Sequence, residues 1–130
     1  DARRFVAVFE KPRIELRLDQ LSDGQRMLLA LYALVLLSAG NGILFLDEPD
    51  NYVALPELQP WLMALEDAVG AEIPQVIIAS HHPELIDYLG AEAGLWLYRE
   101  ENGPTRTRRI EAPPDSTLKL SELVARGWTE

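Results

Sequence analysis

The chain has 130 residues and a formal net charge of −9, from 12 basic and 21 acidic side chains. This length suits one domain, and a hydrophobic fraction of 48% provides ample material for a packed core and argues against disorder. The acidic balance makes the chain a poor nonspecific nucleic-acid binder, and the absence of Cys excludes a disulfide framework and a Cys-ligated zinc site.

The charge is distributed unevenly along the chain. No Lys or Arg lies between Arg26 and Arg99, and this interval contains ten carboxylates. The most apolar run, residues 27–39, is shorter than the roughly 20 residues that a membrane-spanning helix needs. We therefore expect a cytoplasmic protein without a membrane partner.

The predicted elements begin with two strands, at residues 5–9 and 14–18, followed by a helix that ends near residue 38. After it the pattern predicts a strand at 43–46, a helix at 56–69, a strand at 76–79, a short helix at 83–89, a hairpin at 95–98 and 105–110, and a last helix at 118–126 that Gly127 ends.

Apolar runs without alternation indicate where the core of this fold should lie. The runs at 43–46 and 76–79 are typical of strands that are covered on both faces, and the helix before residue 38 is apolar on nearly every side, so it should be buried. We predict an α/β fold with a largely parallel sheet flanked by helices, in a single domain over 1–130.

Polar residues follow both of these strands directly. Asp47 and Glu48 come after the first, and the run from Ser80 to His82 comes after the second. Because ligands of such sheets bind outside the carboxyl ends of the strands, we expect these residues to meet at one edge.

The segment from Leu21 to Gln25 has two interpretations. Ser22 and Gln25 have the spacing of a capping box, which satisfies backbone amides at a helix start. The alternative is an anion site, in which Gly24 permits close backbone approach and Ser22 contacts a phosphate oxygen.

Two adjacent acids at the end of a buried strand require a compensating partner, because uncompensated charge near a core is costly. A cation supplies one: Asp47 would orient Mg²⁺ directly or through water, and Glu48 could polarise an attacking water. The alternative is that both carboxylates simply lie in solvent. Of the histidines, His82 is better explained as a helix cap or a surface residue. His81 could hydrogen-bond a phosphoryl group, and the alternative is that it too is a cap or a surface residue.

Taken together, these motifs resemble the carboxy-terminal half of an ABC-type ATPase head, a P-loop NTPase with a RecA-like fold. Residues 21–25 are similar to the signature loop, 43–48 to the Walker B strand, 50–53 to the D-loop and 80–83 to the switch region. The run after Ser80 resembles that of the RecF, SMC and OLD-like group of predicted AAA-family ATPases. The resemblance covers residues of about 14–98.

This resemblance implies ATP binding and hydrolysis with Mg²⁺ by a homodimer that sandwiches the nucleotide. Within that picture Glu48 and His81 would be catalytic and Asp47 would bind the metal. The nucleotide-binding residues would come from the 21–25 loop: Ser22, Asp23, Gly24 and Gln25. Of these, Ser22 and Gly24 would act in trans, and Asp23, which replaces the commoner Gly of the family, places a carboxylate near a phosphate site.

Neither lysine can belong to a P-loop, because Lys11 precedes Pro12 and Lys119 precedes Leu120, whereas a P-loop lysine precedes Ser or Thr. We therefore expect a partner half with the P-loop amino-terminal to Asp1, and little activity from these 130 residues alone.

Two other functions fit part of the sequence. One is a noncatalytic module that dimerises through the same surfaces. The other is a metal-dependent phosphodiesterase that uses Asp47, Glu48 and His81, with Asp50 as a further ligand. Nucleic acid would bind only through other parts of the protein, because the arginines near residues 99–109 are better explained as a solvated hairpin.

Overall fold

The computed structural model describes residues 5–38, 40, 42–113 and 116–127. By its internal contacts the chain divides into two compact units, Asp1–Ile78 and Ala79–Glu130. The single domain over 1–130 stays a prediction.

The first unit begins with an antiparallel hairpin and continues through alternating helices and strands. Strand β1 pairs with β2 in a register that places Val6 opposite Arg17. The elements of this unit are β1 (Val6–Glu10), β2 (Arg13–Arg17), α1 (Asp23–Leu37), β3 (Ile43–Asp47), α2 (Leu55–Ala68) and β4 (Gln75–Ala79), whose last residue reaches the second unit.

A short 3-10 helix, Leu18–Gln20, leads from β2 towards α1. Arg17 donates side-chain hydrogen bonds to Asp19, and they are the main cause of the lowered pKa of the Asp19 carboxyl. This contact fixes the turn immediately before the 21–25 loop.

Helix α2 supplies half of the buried hydrophobic residues of the first unit. Its spacing of apolar residues places one stripe inward, as the sequence predicts, and Trp61 is completely buried. Other buried residues come from the elements around it, and the set is Leu21, Leu31, Val35, Leu46, Leu58, Trp61, Leu62, Leu65, Ala68 and Ile73.

The expectation that α1 and β3 are covered on all sides is wrong for the described residues. Leu36 and Leu37 of α1 are 72% and 77% exposed, and Ile43 and Phe45 of β3 are 54% and 68% exposed. The physical reason is that α1 buries only the narrow stripe of Leu31 and Val35. Apolar side chains that the sequence pattern predicts to be buried are therefore exposed to solvent.

The second unit contains two helices and a hairpin. Strand β5 (Leu95–Arg99) pairs antiparallel with β6 (Thr105–Arg109), and helix α3 (Pro83–Ala93) packs against α4 (Leu120–Arg126). The two helices are linked by Asp87, which accepts hydrogen bonds from the Ser121 amide at 2.8 Å and the Ser121 hydroxyl at 3.0 Å. Gly127 ends α4 with φ of 67°, as its position predicts.

The prediction of a largely parallel sheet is not confirmed, because the described strands form three separate two-stranded sheets. Strands β3 and β4 form a two-stranded sheet that is connected through α2, the kind of crossover a parallel pair requires. The other two sheets are the antiparallel hairpins. Among the described residues, no helix has the length and apolar character needed to cross a membrane.

Candidate functional site

The 21–25 loop forms the start of α1 and is held by a complete capping box. The Gln25 amide donates to Ser22 Oγ at 3.2 Å, and the Ser22 amide donates to Gln25 Oε1 at 2.9 Å. The structural interpretation of this motif is therefore confirmed. Because Ser22 Oγ accepts that bond, its hydroxyl proton is still available for another acceptor.

Asp23 occupies the first position of α1, where a carboxylate interacts favourably with the helix dipole. Arg26, one turn later, approaches it with an N–O distance of 2.5 Å. Both side chains are solvent exposed, so this ion pair adds little stability. The guanidinium of Arg26 nevertheless compensates the negative charge of Asp23.

Gly24 is in close contact with the backbone that follows β3. A Cβ atom at this position would lie 2.6 Å from the carbonyl oxygen of Tyr52. Only glycine fits that spacing without a shift of the backbone. The 21–25 loop therefore packs directly on residues 48–53, which we name the strand-end turn.

The strand-end turn begins with Glu48 in a left-handed conformation, with φ of 45°. Asp47, the last residue of β3, is exposed, whereas Pro49 and Asp50 are buried. The Asn51 amide donates to the Glu48 carbonyl at 3.2 Å, and the Val53 amide donates to the Asp50 carbonyl at 3.1 Å. Two successive tight turns thus follow the strand.

The Glu48 carboxylate also has a side-chain partner in this turn. Asn51 Nδ2 donates a hydrogen bond to Glu48 Oε2 at 3.3 Å. Sequence reasoning placed Asn51 in the D-loop region but gave it no role. The available signal was its spacing of three residues from Glu48 across a proline-containing turn.

The residues that follow β4 belong to the second unit. His82 is the N-cap of α3: its Nδ1 accepts a hydrogen bond from the Glu84 amide at 3.2 Å, and its own amide donates to Ser80 Oγ at 3.0 Å. Of the two structural roles predicted for His82, a helix cap or a surface residue, the structure shows the cap. His81 is exposed and is not this cap, and its catalytic role stays a prediction.

No group of three His, Asp or Glu side chains suited to a metal ion occurs within the part of the chain that the structure describes. The phosphodiesterase hypothesis, which uses Asp47, Glu48 and His81 with Asp50 as a further ligand, stays a prediction. Asp50 in particular is only 6% exposed and belongs to the buried part of the turn.

The arginines of the hairpin in the second unit make contacts within that hairpin. The guanidinium of Arg108 lies over the rings of Trp96 and Tyr98, 5.5 and 5.1 Å from their centroids. Arg106 approaches Glu100 at 3.7 Å, and Arg99 donates to Thr105 Oγ1 at 3.2 Å. These contacts favour the interpretation as a solvated hairpin over a phosphate-binding patch.

Comparison with known proteins identifies the family. A family model described as "AAA domain, putative AbiEii toxin, Type IV TA system" matches residues 4–87, about two thirds of the chain. No curated protein and no solved structure matches the chain. The matched region includes the 21–25 loop, β3 with the strand-end turn, and residues 80–83. The chain therefore belongs to this family of AAA domains, which implies a P-loop NTPase-like fold and an ATPase-type, nucleotide-binding function.

Proposed function

We propose that this chain is the carboxy-terminal half of an ABC-type ATPase head of the RecF, SMC and OLD-like kind. It hydrolyses ATP when a P-loop-bearing half is supplied. The observation that carries this proposal is the geometry at the end of β3. Glu48 adopts a left-handed conformation with φ of 45°. For a residue with a side chain, this conformation costs about 1 kcal/mol or more. Strain of this kind concentrates at functional sites.

Asp47 and Glu48 have distinct roles in this proposal. The exposed Asp47 carboxylate would hold Mg²⁺, an ion that typically takes one or two protein carboxylates and completes its shell with water and phosphate oxygens. When bound, Mg²⁺ would neutralise charge on the transferring phosphate. Glu48 would orient the attacking water and accept its proton.

The 21–25 loop would contact the nucleotide of a second subunit. Ser22 has a hydroxyl proton available for a phosphate oxygen, and the backbone amide of Gly24 lies at the positive end of α1. Asp23 next to a phosphate would be repulsive if it were alone, but its pairing with Arg26 reduces this cost. His81 would hydrogen-bond the transferring phosphoryl group; this role rests on the resemblance alone.

The partner half would cover the open apolar surface of the first unit. Leu36 and Leu37 of α1 and Ile43 and Phe45 of β3 expose side chains of the type that forms cores. The interval between Arg26 and Arg99 has ten carboxylates and no Lys or Arg. A P-loop-bearing half provides both an apolar face and the lysine that this interval lacks.

The test is phosphate release from ATP and Mg²⁺ by two samples: this chain alone, and the chain together with a P-loop-bearing half, which we name the complemented protein. We expect turnover only from the complemented protein, because positioning and electrostatics of the phosphates provide nearly all of phosphoryl-transfer catalysis. Turnover by the chain alone that disappears in Glu48→Gln would contradict the need for the partner half. No turnover by the complemented protein would contradict the ATPase assignment and favour a noncatalytic dimerising module.

A further inference from the structure

We propose that Asn51 is a positioning residue for Glu48, and that its side-chain amide holds the carboxylate in the orientation needed to activate water. This inference rests on the proposed function, in which Glu48 is the general base. It adds a residue with a defined role to the strand-end turn. The geometry supports the role in three independent ways.

The first is the contact itself. Asn51 Nδ2 donates to Glu48 Oε2 at 3.3 Å, so one carboxylate oxygen is engaged by an uncharged donor. An amide donor restrains the carboxylate without neutralising it, which a lysine or arginine at the same place would do.

The second is the backbone that brings the two side chains together. The Asn51 amide donates to the Glu48 carbonyl at 3.2 Å and closes a turn of four residues. Glu48 itself is at φ of 45°, and in this conformation its side chain lies on the same side of the turn as Asn51. The same two residues are therefore joined through both main chain and side chain.

The third is the burial and the backbone contacts of the residues around the turn. Pro49 and Asp50, the two residues between the partners, are buried, and Asp50 accepts the Val53 amide at 3.1 Å. Gly24 packs against the Tyr52 carbonyl on the other side. A turn fixed at both ends can hold a side chain with the precision that catalysis needs, since a misplacement of about 1 Å can cost about a hundredfold in rate.

The experiment compares Asn51→Asp and Asn51→Leu in the complemented protein. Asn51→Asp keeps the shape and the backbone bond but replaces the donor with a carboxylate that repels Glu48. Asn51→Leu removes the donor without adding charge. For both we expect kcat to fall about tenfold while KM for ATP changes by less than about twofold, because the lost contact acts on the water and not on nucleotide binding. Asn102→Asp, in the exposed turn of the β5–β6 hairpin, is the matched control and should leave both constants unchanged.

A double-mutant cycle separates positioning of Glu48 from a general effect on the fold. In a Glu48→Gln background, single-turnover measurements should show little further loss from Asn51→Leu, because the group that Asn51 positions is already absent. Full additivity of the two losses, or an unchanged kcat in both Asn51 variants, would overturn the inference. Absence of turnover in the wild-type complemented protein would instead overturn the proposed function and, with it, this inference.

Discussion

Replacing Glu48 with Gln is expected to reduce ATP turnover of the complemented protein by about a hundredfold or more, the usual contribution of a positioned general base. Gln has the same shape, and its carbonyl oxygen can still accept the hydrogen bond from Asn51 Nδ2. The turn should therefore keep its structure while losing the group that accepts a proton. Phosphate release measures the loss, and binding of a fluorescent ATP analogue should be retained.

The matched control for this change is Glu57→Gln. Glu57 is an exposed carboxylate in the first turn of α2, and the same substitution there removes one negative charge from the same unit. Turnover of Glu57→Gln should equal that of the wild type. If Glu48→Gln retained more than about half of the wild-type turnover, a general base could not be assigned to Glu48.

Gly24→Ala is expected to destabilise the first unit by about 1–3 kcal/mol, the typical cost of forcing an extra group into a packed position. The added Cβ would lie 2.6 Å from the Tyr52 carbonyl oxygen, so either α1 or the strand-end turn has to move. Whether Gly24→Ala lowers or raises the free energy of unfolding shows whether Gly24 is in close contact with the strand-end turn. In a helix without this contact, Ala would stabilise relative to Gly by about 1 kcal/mol.

Urea unfolding measures this difference, and Gly42→Ala is the matched control. A Cβ at Gly42 meets nothing within 4 Å, and this glycine does not adopt the left-handed conformation. We expect Gly42→Ala to change the free energy of unfolding by less than about 0.5 kcal/mol. A stabilising effect of Gly24→Ala would show that the 21–25 loop does not pack on the strand-end turn.

The order of the elements was predictable because the local signals are strong. The capping box of Ser22 and Gln25 fixes the start of α1, Pro83 fixes the start of α3, and Gly127 fixes the end of α4. In each of these places a few neighbouring residues satisfy the backbone by themselves. The prediction therefore did not depend on contacts between distant parts of the chain.

The surroundings of α1 and β3 could not be predicted in the same way. An apolar pattern predicts that Leu36 and Phe45 are buried, but it does not predict which segment covers them. The spacing of Asn51 and Glu48 was visible in the sequence, but the left-handed backbone that Glu48 adopts at their contact was not. No propensity rule predicts that conformation for this residue type. The contact of Gly24 with Tyr52 likewise depends on the tertiary structure.

The central claim is that each ATP site combines Glu48 of one subunit with the 21–25 loop of another, and subunit mixing tests it most directly. The first component is Glu48→Gln. The second is Ser22→Asp, which keeps helix capping, because Asp caps as well as Ser, but places a negative charge against the phosphate. Each variant alone should be nearly inactive. Mixed in equal amounts, they should recover about a quarter of the wild-type turnover, because half of the dimers are mixed and each of these has one intact site of two. No recovery in a mixture that demonstrably exchanges subunits would contradict the account.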